Sequence, residues 1–222
     1  MKSIKVKPLF AAITLLLSVP AQAELTGNIT LTSDYIFRGF TQTDQKPAVQ
    51  GGFEYTHETG LYAGIWASNV ELGNSVNIEV DYTAGLAGKV ADIDWDFGAI
   101  YYDYPSDAGQ DLDYTEYKAA LTWKFFSFEY YYSDDFFGNN TDEAHYFSLT
   151  GDYDLPMDLG LSVHAGHQTI SDGDDYDDWS VGMSRSIQGV DLSVVYSDTR
   201  NVRGSCKSLC DSRFVFSISK EL

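Results

Sequence analysis

The runs Glu79-Val80-Asp81 and Asp92-Ile93-Asp94-Trp95-Asp96 place a carboxylate at every second residue. On an extended strand this spacing sets the acids on one face and their apolar neighbours on the other. A row of carboxylates on a shared face concentrates cations and repels anions, most strongly against a low-dielectric wall. Carrying the same parity through neighbouring runs adds Asp34, Glu54, Glu116 and Glu129, with Arg38 and Lys118 as the main cations. Asp34, Arg38, Glu54, Glu79, Asp81, Asp94, Asp96, Glu116, Lys118 and Glu129 are therefore the candidates for a charged inner wall that selects solutes. Asp34 and Arg38 stand four apart on one expected strand, hence on one face. With Glu79 and Asp81 they read either as a constriction or as a satisfied salt-bridge network in a narrow interior.

Other chemistry has fewer parts. Of the four histidines, His57 falls in a turn, His145 and His164 within strands and His167 near a rim. Ser162 and His164 share a parity but lie side by side along one strand, a poor arrangement for an in-line nucleophile and base. The chain has no Gly-x-Ser-x-Gly, His-Glu-x-x-His or phosphate-loop motif, so it is read as a non-enzyme that needs no cofactor. Asp172, Asp174 and Asp177 form a weak calcium candidate that lacks the full ligand spacing of a calcium-binding hand. A solvated acidic loop is the plainer reading, and no other metal site suggests itself. Cys206 and Cys210 lie four apart, a candidate disulfide if the chain is exported, with the pairing left open by the short spacing. Arg200, Arg203, Lys207 and Arg213 surround them, set to pair with acidic neighbours or with lipopolysaccharide phosphates.

The elements that position these groups follow from period-two alternation that recurs along the chain. The first run sets Ile29, Leu31, Tyr35 and Phe37 against Asn28, Thr30, Thr32, Asp34 and Arg38. Later runs set Ile78, Val80 and Tyr82 against Glu79 and Asp81, and Trp95, Phe97 and Tyr101 against Asp94 and Asp96. The run over 61–70 is ambiguous: either Tyr62, Trp66 and Val70 or Leu61, Ala63, Ile65 and Ala67 face outward. Residues 159–168 oppose Leu159, Leu161, Val163 and Ala165 to Ser162, His164 and Gln168. The pattern predicts an all-β fold of about 12 strands, each roughly the ~9–11 residues that cross a tilted barrel wall. Links alternate in length. Tight turns are expected at 57–60, 123–125, 154–157 and 187–190, with a somewhat longer one near 87–92. Long polar loops are expected at 105–113, 134–143, 171–178 and 200–212. One end with turns and one end with loops is the asymmetry of an antiparallel up-and-down transmembrane β-barrel. An even strand count then places both termini on the periplasmic side.

Lys2, Lys5 and Lys7, an apolar run over 9–19 and Ala21-Gln22-Ala23 make a secretory leader too short to span a membrane. Residues 1–23 are read as a cleaved signal peptide and 24–222 as a single barrel domain. Aromatic enrichment (16 Tyr, 13 Phe, 4 Trp) suits the interfacial girdles of such a barrel. The net charge of −19 argues against a nucleic-acid partner, since phosphate binding needs the opposite sign.

The stretch Thr32-Ser33-Asp34-Tyr35-Ile36-Phe37-Arg38-Gly39-Phe40-Thr41-Gln42-Thr43 resembles the opening signature of the TorF-like porin family of proteobacteria. Pro47-Ala48-Val49-Gln50-Gly51-Gly52-Phe53 and the Gly-x-Trp-x-Ser-Asn element Gly64-Ile65-Trp66-Ala67-Ser68-Asn69 continue the resemblance, as do Tyr104-Pro105 and Leu112-Asp113-Tyr114-Thr115-Glu116-Tyr117. It covers most of the chain after the leader, most densely in the first third. It implies an outer-membrane barrel with a channel role and no particular substrate. The chain departs from many such barrels at its end, where Leu222 stands in place of the terminal aromatic residue read by the assembly machinery. The expected function is an outer-membrane channel for small hydrophilic solutes, cation-preferring. The alternatives are a closed structural or binding barrel and, behind both, an outer-membrane hydrolase. The expected partners are outer-membrane lipid, lipopolysaccharide, the barrel-assembly machinery and the solutes themselves, with oligomeric state open.

Overall fold

The computed structural model describes residues 23–222 except 74, 107, 108, 110, 139–142, 172, 174, 203–205 and 207. All of the expected leader but Ala23 lies outside the described residues. Within them the chain forms β1 (Glu24–Thr32), β2 (Ile36–Phe37), β3 (Phe40–Thr41), β4 (Ala48–Thr56), β5 (Leu61–Gly73), β6 (Val76–Val90) and β7 (Ile93–Asp103). It continues as β8 (Tyr114–Trp123), β9 (Phe126–Ser133), β10 (Ala144–Leu155), β11 (Leu159–Ile170), β12 (Tyr176–Ile187), β13 (Val190–Arg200) and β14 (Arg213–Glu221). Twelve of these, all but β2 and β3, close an antiparallel barrel in which β1 pairs with both β4 and β14.

The wall follows from alternation. Outward side chains such as Phe53, Phe97, Leu121, Val163 and Phe216 are among the large apolar residues left exposed, while Gln50, Asp96, Glu116 and Ser162 on the opposite parity are buried. An apolar exterior and a polar interior are the reverse of a water-soluble domain and suit a wall facing lipid. In the strand over 61–73 the burial pattern resolves the ambiguity: Leu61 and Ile65 face out, and Tyr62, Trp66 and Val70 face in.

Tight turns gather at one end. Gln188 (φ 53°) and Gly189 (φ 78°) form a two-residue connection with both residues left-handed, the geometry that matches the twist of a hairpin. Ala91, Lys124, Met157 and Asp158 take positive φ in the other turns of that end. The expected longer turn near 87–92 is shorter than the sequence suggests. β6 runs on to Val90 and pairs with Ile93, because Ala87 and Lys89 continue the inward parity opposite Asp96 and Asp94. The opposite end carries the long loops.

One correction decides the interior. The first alternating run does not continue to Arg38 as wall. β1 stops at Thr32, and residues 33–47 leave the barrel wall, carrying the short hairpin β2–β3 with them.

Candidate functional site

Local hydrogen bonds turn the chain inward after β1. The Ser33 amide donates to the Phe216 carbonyl at 2.8 Å, and the Ser33 hydroxyl accepts from the Phe216 amide at 2.9 Å. The Thr32 hydroxyl then donates to the Asp34 carbonyl at 2.8 Å. The Asp34 carboxylate collects the Thr41 and Thr43 hydroxyls, and the Gln42 amide donates to the Tyr35 carbonyl at 2.7 Å. These bonds close the base of the hairpin with Thr41-Gln42-Thr43. At its tip Arg38 (φ 46°) and Gly39 (φ 85°) are both left-handed. Glycine is required at position 39 by space as well. A Cβ there would strike the Thr199 methyl and come within 2.9 Å of the Asp178 Cβ.

The tip delivers Arg38 across the lumen. Its guanidinium donates to both Glu116 carboxylate oxygens at 2.8 Å and to Gln168 Oε1 at 2.9 Å. The ring faces of Tyr146 and Tyr131 lie 4.1 and 5.0 Å from its central carbon. The Tyr102 hydroxyl donates to Glu116 Oε2 at 3.0 Å, and the Gln168 amide donates to the His145 carbonyl at 3.2 Å. Arg38 and Glu116 are 6% and 2% exposed, so the pair sits away from water. Fork-to-fork pairing of a guanidinium with a carboxylate is the strongest ordinary charge-assisted contact. Beside it the loop-side lumen is filled by Tyr35, Trp66, Val70, Tyr102, Tyr104, Tyr114 and Phe136, drawn from the hairpin, the wall and the loops.

Two further networks lie on the inner wall. Lys118 Nζ meets Asp96 Oδ2 at 2.7 Å, and the Tyr62 hydroxyl donates to Asp96 Oδ1 at 2.7 Å. Tyr62 reaches from β5 past β6 to β7 to do so, and the absence of a side chain on Gly85 and Gly98 makes room for its ring. On the other side His164 contacts the Thr150 hydroxyl through Nδ1 at 2.8 Å and Asp178 Oδ1 through Nε2 at 3.1 Å. The Tyr146 hydroxyl donates to Asp178 Oδ2 at 2.9 Å, which links this network to the ring over Arg38.

A disulfide between Cys206 and Cys210 closes a turn that clasps the hairpin from the rim. The Thr41 amide donates to the Leu209 carbonyl at 2.9 Å, and Gln45 Nε2 donates to the Ser208 hydroxyl at 3.3 Å. Arg213 ties the same turn to the hairpin, donating to the Ser208 carbonyl at 2.6 Å and to Asp34 Oδ2 at 3.0 Å. At the exposed margin Lys46 lies 3.1 Å from Glu71, and this hydrogen bond holds its ammonium above its ordinary value.

Of the sequence-predicted residues, Glu54, Glu79, Asp81, Asp94, Asp96, Glu116, Lys118 and Glu129 lie on the inward parity of wall strands. Asp34 and Arg38 do not; both belong to the inserted hairpin. The expected cluster of Asp34, Arg38, Glu79 and Asp81 is therefore divided. Asp34 pairs with Arg213, Arg38 with Glu116, and Glu79 accepts the Tyr35 hydroxyl at 2.9 Å. Asp94 sits at the turn end, bound to Lys89 at 2.8 Å, and Glu129 accepts the Tyr131 hydroxyl at 3.2 Å. Asp172, Asp174, Arg203 and Lys207 lie outside the described residues. Asp177 is engaged by His167 at 2.7 Å and by Asn201. Sequence reasoning missed Tyr131, Tyr146, Asp178 and Arg213 as lumen groups. Parity was the available signal, since Tyr131 lies between outward Tyr130 and Tyr132.

Comparison with known proteins places this architecture. No curated protein matches the chain. Among solved structures, the KdgM porin superposes with a TM-score of 0.58 at 7% identity, over 88% of this chain and 97% of that one. The NanC porin gives 0.55 at 12% identity, over 88% and 98%. An outer membrane channel from Pseudomonas putida F1 gives 0.55 at 12% identity, over 92% and 96%. At such identities the likeness is one of fold, between this closed 12-stranded barrel and the folds of outer-membrane porins and channels. The family model described as a bacterial protein of unknown function (Gcw_chp) matches residues 19–222, and the chain belongs to that family.

Proposed function

We propose that this barrel lies in the bacterial outer membrane, termini on the periplasmic side, as a channel for small hydrophilic solutes that prefers cations. The observation that carries this reading is the inward face. Glu54, Asp81, Asp96, Glu116, Glu129 and Asp178 point inward against few cations, of which Arg38 and Lys118 are already paired. A lumen of that balance in a low-dielectric wall focuses a negative potential on whatever enters. The resemblance to TorF-like porins and the porin fold support the same reading. The test is the reversal potential of the refolded barrel in planar bilayers under a potassium chloride gradient. A cation-selective sign is expected, and an anion-selective one overturns the preference.

The inserted hairpin favours a second reading, a barrel that is closed until the hairpin moves and that binds rather than conducts at rest. Absence of conductance in the native chain together with conductance in a hairpin deletion would select it. We infer no hydrolytic role. Thr150, His164 and Asp178 are in contact, but Thr150 lies within the ladders of β10 with β9 and β11, whose backbone amides are committed to strand pairing. The amides of these ladders are thus not offered to an oxyanion beside the hydroxyl.

A further inference from the structure

The seat of Arg38 and its occupant belong to different elements. Glu116, Tyr131, Tyr146 and Gln168 come from β8, β9, β10 and β11, four consecutive wall strands fixed by their own pairing. Tyr102 and the His145 carbonyl hold Glu116 and Gln168 in place without help from Arg38. Arg38 arrives from a short hairpin attached near β1 and β4, on the far side of the lumen in the order of strands. The seat is thus a preformed receptor: a forked carboxylate, an amide oxygen and two aromatic faces converging on one planar cation. Such a set recognises a guanidinium by geometry as well as charge, and an ammonium less well, because only the planar group fills both carboxylate oxygens while lying against a ring.

Glu116 is almost fully buried. Withdrawal of the hairpin takes the guanidinium from this carboxylate and leaves it only the Tyr102 hydroxyl, which favours another cation in the vacated place. We propose that Arg38 is an internal stand-in for solute, and that its seat is a binding site for solutes bearing a guanidinium group, which occupy it when the hairpin moves aside. The inference deepens the channel reading by naming a class of solute, and it rests on that reading only for the route by which the solute arrives.

The test vacates the seat and offers the probe from solution. Ethylguanidinium is titrated by calorimetry into the refolded Arg38→Ala barrel in detergent, with ethylammonium as the comparison. Saturable binding is expected, with ethylguanidinium favoured by about tenfold or more, and it should be lost when Glu116→Gln is added. Should Arg38→Ala fail to refold, Arg38→Lys keeps a charge on the hairpin while surrendering the fork. The same preference for ethylguanidinium is then expected at lower affinity. No saturable binding, equal binding of the two probes, or binding unaffected by Glu116→Gln overturns the proposal. None of these readouts needs ion flow. A non-conducting barrel that binds ethylguanidinium overturns the channel reading alone, and a conducting barrel that does not bind it overturns this one alone.

Discussion

At the scale of single residues the interior holds several charge pairs, each worth more for what its loss would strand than for what it contributes. Asp96 serves both Lys118 and Tyr62. Asp96→Asn keeps an acceptor for the tyrosine but leaves the ammonium, 11% exposed, facing a neutral amide. An expected loss of roughly 2 kcal/mol follows from the cost of an unsatisfied charged group. Adding Lys118→Met should recover most of that loss, and urea unfolding of the refolded barrel measures both steps. Inward residues of this kind were legible in the sequence because strand parity fixes them without knowledge of the fold. Arg38 was not. Alternation falters at Ser33 and Ile36 but returns at Tyr35 and Phe37, and a period-two pattern does not distinguish a wall strand from a short hairpin of the same polarity. What breaks the strand is the pair of bonds between Ser33 and Phe216, a contact with the last strand that no local pattern reveals.

At the scale of elements the hairpin and the disulfide-closed turn act together. Ser208 and Leu209 hold Thr41, Gln45 and, through Arg213, Asp34. Replacing both cysteines by serine is expected to cost about 2 kcal/mol by the loop-closure estimate for so short a ring. It should also make the hairpin more susceptible to chymotrypsin at Phe37 and Phe40 than in the disulfide-bonded chain. Unchanged cleavage would mean that the clasp does not restrain the hairpin. The cysteine pair was visible from its spacing, but its use was not, because the partners come from the opposite end of the chain. Turns were read well for the same reason that parity was: their chemistry is local. The exception, near 87–92, shows the limit. Residues 87–90 fall within the expected turn, yet β6 continues through them, and just before them Gly85 makes room for the Tyr62 ring.

For the whole molecule the balance lies between an apolar exterior and a partly filled interior. Val163 is 47% exposed midway along β11, flanked in register by Val181 and Gly151. Val163→Arg should lower stability in phospholipid by about 2–4 kcal/mol if that band meets the hydrocarbon, and by almost nothing if it meets water. Twelve strands enclose more space than wall side chains alone can fill, as they do with eight, and less than the wide aqueous passage of 16 or more. The hairpin occupies part of that difference. Its attachments also set an order in time. Arg38 needs a seat built from β8 to β11, and Asp34 needs Arg213 at the start of β14, so a segment made early in synthesis has nowhere to dock until the last strand is in. Contacts of such long sequence separation form late. Arg38 is therefore expected to take its seat last, after the wall strands that hold it have paired. In refolding followed by tyrosine and tryptophan fluorescence, Arg38→Ala should leave strand formation at the native rate and remove only the final, slow change.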